Sequence, residues 1–208
     1  MEKLEYPGRN RRVALVAGLM LCGALALPLT GSQFQVAAAQ RQVSPPPPAC
    51  TATTRTTPSQ TDGPYYKANS PQRTSLMEPN MTGTKLVVTG YVLGRDCKPI
   101  ARAWLDFWQA DDRGEYDNTG FKMRGHQFAD AAGIYYLETV LPGLYPGRTR
   151  HIHVKVRAPN GPTLTSQLYF AGEARNQTDG IFNQSLIVTM QDVAGGKVGF
   201  FTFVIDTR

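Results

Sequence analysis

The sequence predicts an all-β domain, an antiparallel β-sandwich, from three observations. From Thr61 onward, short segments alternate apolar and polar residues with a period of two, which is the period of a strand with one buried face. Glycine and proline residues separate these segments and mark the turns between them. Beyond an N-terminal apolar run, no segment shows helical periodicity over three or more turns. About seven short strands joined by turns favour two packed antiparallel sheets.

The first 39 residues predict a secretion signal. Lys3 and three arginines precede a nearly unbroken apolar run from Val13 to Thr30, and the alanines at 37–39 provide the small residues that a signal peptidase requires. We therefore expect cleavage before Gln40 and export to the periplasm or the cell exterior. The run is also long enough for a short membrane-spanning helix, so the alternative is an uncleaved anchor, and association with a membrane is expected only in that case.

The charge balance argues against nucleic acid as a partner. The chain has 22 Lys and Arg against 16 Asp and Glu, a net charge of +6, and removal of residues 1–39 takes away four basic and two acidic residues to leave +4. The remaining basic residues form no dense run, so no nucleic-acid surface is predicted. This charge supports only a weak preference for anionic small molecules.

Residues 40–58 are predicted to form an extended spacer before a folded domain at 59–208. Four consecutive prolines, Pro45 to Pro48, and a stretch rich in threonine and serine are typical of such spacers. The spacer contains Cys50 and the domain contains Cys97. In an oxidising compartment these cysteines can form one disulfide, which we favour, and the alternative is a pair of unrelated thiols.

Seven strands are predicted in the domain. The alternation is clear between Ala101 and Gln109, where Ala101, Ala103, Leu105 and Phe107 share one face. The predicted strands are Lys85–Leu93, Ala101–Gln109, Gly133–Val140, His151–Arg157, Leu164–Phe170, Ser185–Thr189 and Val198–Ile205.

Two of the three histidines of the chain predict a metal site. His151 and His153 are separated by one residue on a predicted strand, so both imidazoles point to the same face. Ile152 and Val154 then point to the other face and can enter the core. A pair of this kind is a weak signal by itself, because exposed or packed histidines show the same spacing.

Two tyrosines strengthen the metal interpretation. Tyr145 lies in a turn rich in glycine and proline six residues before His151, and Tyr116 follows the strand Ala101–Gln109 through a loop. Phenolate is a hard anionic donor that suits a trivalent ion such as Fe(III) when it is combined with imidazole, whereas structural zinc prefers thiolate and imidazole. Taken alone, each tyrosine fits a packed aromatic residue with a solvated hydroxyl.

In their order along the chain, these residues resemble a known family. The matching motifs are Trp108-Gln-Ala110, Gly114-Glu-Tyr116, Pro142-Gly143-x-Tyr145, Arg148 and His151-Ile-His153. They resemble the intradiol ring-cleavage dioxygenases, which include catechol 1,2-dioxygenases and protocatechuate 3,4-dioxygenases. The segment 57–66 is similar to the start of the catalytic fold of the protocatechuate enzymes, so the resemblance covers about residues 57–205.

The resemblance implies a β-sandwich of the intradiol dioxygenase type at 59–208, with non-haem Fe(III) as the cofactor. The implied metal ligands are Tyr116, Tyr145, His151 and His153. The resemblance also implies that Tyr116 stays bound, and that Tyr145 leaves when the substrate arrives and accepts a substrate proton. Arg148 is implied as the catalytic arginine over the substrate ring, and Gln167 as a polar residue that orients the site.

The implied reaction uses O2 to open a catecholic ring between its two hydroxylated carbons and gives a muconate-type diacid. A second hypothesis is a non-catalytic secreted β-sandwich that binds a ligand or partner and retains the motif. The presence of all four ligand positions together with Arg148 favours the enzyme. The opening segment and the basic charge favour carboxylated catechols, without ranking catechol, protocatechuate and hydroxyquinol firmly, and the oligomeric state stays open.

Overall fold

The computed structural model describes residues 43–51 and 53–208. The predicted signal peptide, residues 1–39, lies outside the described residues, so its cleavage, export and anchoring stay predictions. In the part of the chain that is described, no helix combines the length and the apolar character that crossing a membrane requires.

The described residues contain nine strands and two 3₁₀ turns. The strands are β1 Lys85–Gly94, β2 Trp104–Trp108, β3 Arg124–Phe128, β4 Ile134–Val140, β5 His151–Arg157, β6 Thr163–Tyr169, β7 Thr189–Val193, β8 Gly196–Phe200 and β9 Phe203–Ile205. The 3₁₀ turns are Ala174–Gln177 and Gln184–Leu186.

The strands form two sheets with a shared core, which confirms the predicted β-sandwich. One sheet has the order β4-β1-β8-β7 with β9 also paired to β1, and the other has the order β3-β2-β5-β6 and is antiparallel throughout. The first sheet departs from the prediction in one respect, since β1 pairs in parallel with both β8 and β9. These strands reach β1 after the chain has crossed from the other sheet, and a crossover permits parallel pairing where a tight hairpin does not.

Alternation along β2 and β5 divides the four-stranded sheet into a core face and an outer face. Leu105 and Phe107 of β2 pair with Val156 and Val154 of β5, and all four side chains are fully buried in the core. Burial of each such side chain contributes about 1.5–3 kcal/mol. The residues between them point to the outer face, where the polar side chains of the sheet collect.

The strand β3 was not predicted, because its core-facing positions are not apolar. Gly125 and Gln127 are the residues that pair with Phe107 and Leu105 across from β2. A Cβ at Gly125 would lie 2.7 Å from Arg73 Cγ and 2.9 Å from Leu76 Cδ2, so side chains of two loop residues occupy that space instead. Loop side chains therefore cover this part of β3, and the strand carries no period-two signal of its own.

The C-terminal strands differ from two predictions. The predicted strand Ser185–Thr189 is wrong, because the Asn183 side chain accepts a hydrogen bond from Ser185 N and starts a 3₁₀ turn. The predicted strand Val198–Ile205 is divided into β8 and β9 at Phe201, whose carbonyl oxygen lies against Gly90 of β1. A Cβ at Gly90 would overlap that oxygen, so glycine permits the close approach.

The described part of the predicted spacer lies on the domain. Cys50 and Cys97 form a disulfide, as we favoured. Thr57 is buried, its N–H donates to Val204 O at 2.8 Å, and its Oγ1 accepts from Val204 N at 2.9 Å. Pro45 is also buried. Residues 43–51 belong to no helix or strand, and the Cys50 disulfide attaches them to the domain.

Candidate metal centre

The predicted ligands lie at one end of the outer face of the four-stranded sheet. β5 places His151 and His153 on that face, because Ile152 and Val154 point into the core. Residues 57–72, here called the arm, start beside β9 and then run across this face, where Thr61, Asp62 and Ser70 bond to side chains of the sheet. Both histidines are consequently buried, with 4% and 3% of their surface exposed.

The arm approaches the histidines most closely at a glycine. Gln167 Nε2 donates to Thr61 O at 3.0 Å and fixes the arm just before that point. Gly63 then adopts a left-handed backbone with φ of 66°, and a Cβ there would lie 3.4 Å from His153 Cε1. Glycine adopts this conformation without the strain that a side chain adds.

Three donor atoms of the predicted ligands converge. Tyr116 Oη lies 3.2 Å from His151 Nε2, and His151 Nε2 lies 3.1 Å from His153 Nε2. Two nitrogen ligands at about 2.0–2.1 Å from one ion, held near a right angle, are about 3 Å apart. The spacing of these atoms therefore fits a single ion, and their role as ligands stays a prediction.

Each imidazole ring is oriented by a neighbour. His151 Nδ1 lies 2.7 Å from Thr149 O, to which it donates, so its Nε2 keeps a free lone pair. The His153 ring stacks on Trp108 with centroids 4.8 Å apart and planes within 7°. Burial lowers the pKa of His151 to about 4 and lowers the pKa of His153 well below its ordinary value. Both rings are therefore neutral at pH 7, as metal ligation requires.

Tyr116 is a partly buried phenol beside two arginines. Burial raises its pKa far above the ordinary value, while the charges of Arg148 and Arg124 act in the opposite direction. Arg124, which sequence reasoning missed, is 1% exposed and donates to the carbonyl oxygens of Tyr65 and Asp117. It thereby ties the arm to the loop that carries Tyr116. A bound cation is the usual means of holding a buried donor in its anionic form.

Tyr145 lies beside Tyr116 and forms a hydrogen bond with a third tyrosine. Its ring is 5.7 Å from the ring of Tyr116, and its hydroxyl is 2.7 Å from the hydroxyl of Tyr65. Tyr65 also stacks on Tyr116 with centroids 4.5 Å apart. Sequence reasoning noted the segment that contains Tyr65 but did not identify this residue as part of the site.

Arg148 and Gln167 belong to one hydrogen-bond network next to the histidines. Gln167 pairs with His153 across β5 and β6, and its Oε1 accepts from Arg148 Nη2 at 2.7 Å. Arg148 Nε donates to Asp179 Oδ2 at 2.8 Å. Tyr169 Oη donates to Gln167 Oε1 at 3.0 Å. Neither Asp179 nor Tyr169 was predicted, because both meet the site only through tertiary contacts.

The donor set is compatible with a ferric ion. Within residues 43–51 and 53–208, no group of three or more His, Cys, Asp and Glu side chains is placed to hold a metal ion. The atoms that converge are two neutral imidazole nitrogens and a phenol oxygen, with a second phenol nearby. Imidazole with hard anionic oxygen is the combination that a trivalent iron accepts.

Comparison with known proteins gives the same family at the level of sequence and fold. A family model described as Dioxygenase matches residues 61–206. The dioxygenase domain of a dioxygenase carbohydrate-binding protein fusion from the cellulolytic bacterium Streptomyces sp. SirexAA-E is 54% identical with a TM-score of 0.72, and the match covers 74% of this chain and 100% of that domain.

Curated relatives are more distant. Catechol 1,2-dioxygenase 2 of Acinetobacter lwoffii is 30% identical over 143 residues, which cover 56% of this chain and 52% of the relative. The protocatechuate 3,4-dioxygenase beta chain of Burkholderia cepacia is 32% identical over 118 residues, which cover 48% and 50%. The chain thus spans about half the length of the curated relatives it matches.

Proposed function

The chain belongs to the intradiol ring-cleavage dioxygenases, and from that premise we propose that it is a non-haem Fe(III) enzyme that uses O2 to open catechols between their hydroxylated carbons. One observation carries the proposal: Tyr116 Oη and His153 Nε2 both lie close to His151 Nε2, at 3.2 Å and 3.1 Å. Phenol and imidazole donors fit the ferric ion that this chemistry needs.

The protein residues bind and orient the reactants. Ferric iron, when bound, acts as a Lewis acid that favours the deprotonated catechol. His151, His153 and Tyr116 would hold the ion, and Trp108 and Thr149 O keep the two imidazole rings in place. These contacts fix the centre before the substrate arrives, which avoids reorganisation during the reaction.

Two further side chains act on the substrate. Tyr145 would be the fourth ligand, bound as a phenolate, and after it leaves the ion its Oη would accept a proton from a substrate hydroxyl, with the Tyr65 hydroxyl at 2.7 Å as its hydrogen-bond partner. Arg148 supplies a fixed positive charge where negative charge develops on the opening ring. Gln167 Oε1 and Asp179 Oδ2 hold its guanidinium.

The colour of the protein tests the metal assignment. Iron-loaded full-length protein is expected to show a visible tyrosinate-to-Fe(III) charge-transfer band. Tyr116→Phe removes most of that band, whereas Tyr91→Phe, on β1 of the other sheet, leaves it unchanged. Colourless wild-type protein that takes up no iron would favour the non-catalytic binding module instead.

An oxygen-uptake panel tests the substrate class. We rank carboxylated catechols first on the basic charge balance, with catechol and hydroxyquinol as the other members of the panel. Ring cleavage between the hydroxylated carbons adds both atoms of O2, so the product mass should exceed that of the substrate by one dioxygen. Absence of this product with every catechol would contradict the enzymatic proposal.

We also propose that the protein acts outside the cytoplasm. The Cys50–Cys97 disulfide supports this location, because such bonds persist in oxidising compartments. Mass spectrometry of protein from an exporting host should show a mature chain that begins at Gln40. An intact chain that retains residues 1–39 in the membrane fraction would support the anchor instead.

A further inference from the structure

Arg148 is anchored through two of its three guanidinium nitrogens. Nε donates to Asp179 Oδ2 at 2.8 Å and Nη2 donates to Gln167 Oε1 at 2.7 Å. Among the described residues Nη1 has no protein acceptor, and 19% of the side chain is exposed. One nitrogen of the guanidinium, with its two N–H donors, is therefore left for a ligand, while the other two nitrogens fix the plane in which the group lies.

Asp179 is itself held by the backbone. Its Oδ2 also accepts from Thr149 N at 2.9 Å, and its Oδ1 accepts from Ile181 N at 3.1 Å. Only 2% of the side chain is exposed. A buried carboxylate with three fixed donors has no freedom to move away from Arg148, and charge-assisted bonds of this kind are strong and directional.

The loop that contains Asp179 has other attachments to the same part of the chain. Glu173 Oε1 pairs with Arg150 Nε at 2.7 Å, with each side chain about one fifth exposed. Arg175 Nη1 donates to Tyr145 O at 3.0 Å. Docking of the loop therefore does not depend on Asp179 alone, whereas the orientation of Arg148 does depend on it.

We propose that Asp179 is a positioning residue for ring cleavage, which fixes the Arg148 guanidinium so that its free Nη1 meets the reacting ring. The inference rests on the proposed function, because it assigns Arg148 a role in that reaction. Asp179 does not contact the substrate, and its effect passes through Arg148. Displacement of a catalytic group by about 1 Å can cost about a hundredfold in rate.

The test compares Asp179→Asn with Glu173→Gln in iron-loaded full-length protein. Both changes neutralise one carboxylate of the same loop, but only the first releases Arg148. For Asp179→Asn we expect kcat to fall about tenfold or more, with the charge-transfer band and the Kd for a catechol without oxygen both unchanged. Glu173→Gln should keep kcat within about twofold of wild type, because Arg150 is outside the hydrogen-bond network of Arg148.

The outcomes separate this inference from the proposed function. Wild-type protein without ring-cleavage activity contradicts the proposed function and the inference with it. If wild-type protein is active but the two variants lose equal activity, or Asp179→Asn loses iron, then Asp179 acts only by docking the loop. That result overturns the inference alone. If Asp179→Asn does not fold, Asp179→Glu carries the test. This variant keeps the charge but moves it by one methylene, so kcat should fall severalfold, and an unchanged kcat overturns the inference.

Discussion

The outer face of the four-stranded sheet has two buried polar regions that differ in how their polar atoms are paired. In the middle region, Asp106 of β2 pairs with His126 of β3 and Lys155 of β5 across the sheet. Ser70 Oγ donates to Asp106 Oδ1 at 2.7 Å, and Lys155 Nζ binds Asp62 Oδ1 at 2.7 Å. These partners come from the arm, so the middle region attaches the arm to the sheet.

In the other region, which holds Tyr116, His151 and His153 and is here called the metal end, the nitrogen atoms of the two histidines lie close to each other. His151 Nε2 and His153 Nε2 are 3.1 Å apart, and the other close partner of His151 Nε2 is the phenol of Tyr116. In the middle region, His126 Nδ1 instead donates to Ser70 O at 2.7 Å. Histidines on the same face of the same sheet therefore differ in their partners, and the proposed function assigns the first pair to a metal ion, whereas His126 attaches the arm to the sheet.

Loss of a histidine from each region should separate the two roles most clearly. His153→Ala removes one of three converging donors, so we expect loss of iron and of the visible band. The value of kcat/KM should fall by more than about a hundredfold, the upper range for residues that only support a metal ligand. Iron content, absorbance and oxygen uptake measure these effects.

The matched change in the middle region is His126→Ala. It should keep iron and colour and should lose about 1–3 kcal/mol of unfolding free energy, because Ser70 O is left without its donor. The contrast between the two regions is wrong if His126→Ala loses iron while it remains folded, or if His153→Ala keeps the band.

A smaller effect is expected from alanine at the two left-handed positions of the arm. Gly63, at the metal end, has φ of 66°, and Asn69, next to the middle region, has φ of 63°. Alanine in this conformation costs about 1 kcal/mol, so Gly63→Ala and Asn69→Ala should each lower the midpoint of thermal unfolding modestly. Only Gly63→Ala places a new Cβ beside His153, so only this variant should shift the charge-transfer band. Equal band shifts in both variants would contradict a local effect on the metal end.

The two regions also show what the sequence could predict. The bounds of β5 were predicted correctly, because its core face alternates strictly through Ile152, Val154 and Val156. The same alternation placed His151 and His153 on one face. β3 was not predicted, because loop side chains, Leu76 among them, fill the space beside Gly125 that an apolar strand residue would otherwise occupy.

The missed site residues have a different cause. Asp179 binds Arg148 across 31 positions of the chain, and Tyr65 binds Tyr145 across 80. Arg124 was missed because a buried guanidinium that binds only carbonyl oxygens gives no pattern in the sequence. Local periodicity predicts which face a residue occupies, but the partner on that face depends on where distant loops return to it.

The smallest expected effect concerns the charge of the middle region. Burial raises the pKa of Asp106. Four neighbours act in the opposite direction: the hydroxyls of Ser70 and Tyr66, which donate hydrogen bonds, and the charges of His126 and Lys155. A carboxyl group with a raised pKa in the folded state makes folding less favourable as the pH rises from its unfolded pKa, about 3.9, to the folded value. Asp106→Asn removes this dependence and keeps an acceptor for Ser70. Urea unfolding should therefore show Asp106→Asn to be more stable relative to wild type at pH 7 than at pH 4, with iron content unchanged. The advantage of Asp106→Asn over wild type could instead be the same at both pH values, or larger at pH 4. In that case the Asp106 carboxylate does not destabilise the folded protein, and the middle region does not contain a buried charge held at a cost in free energy.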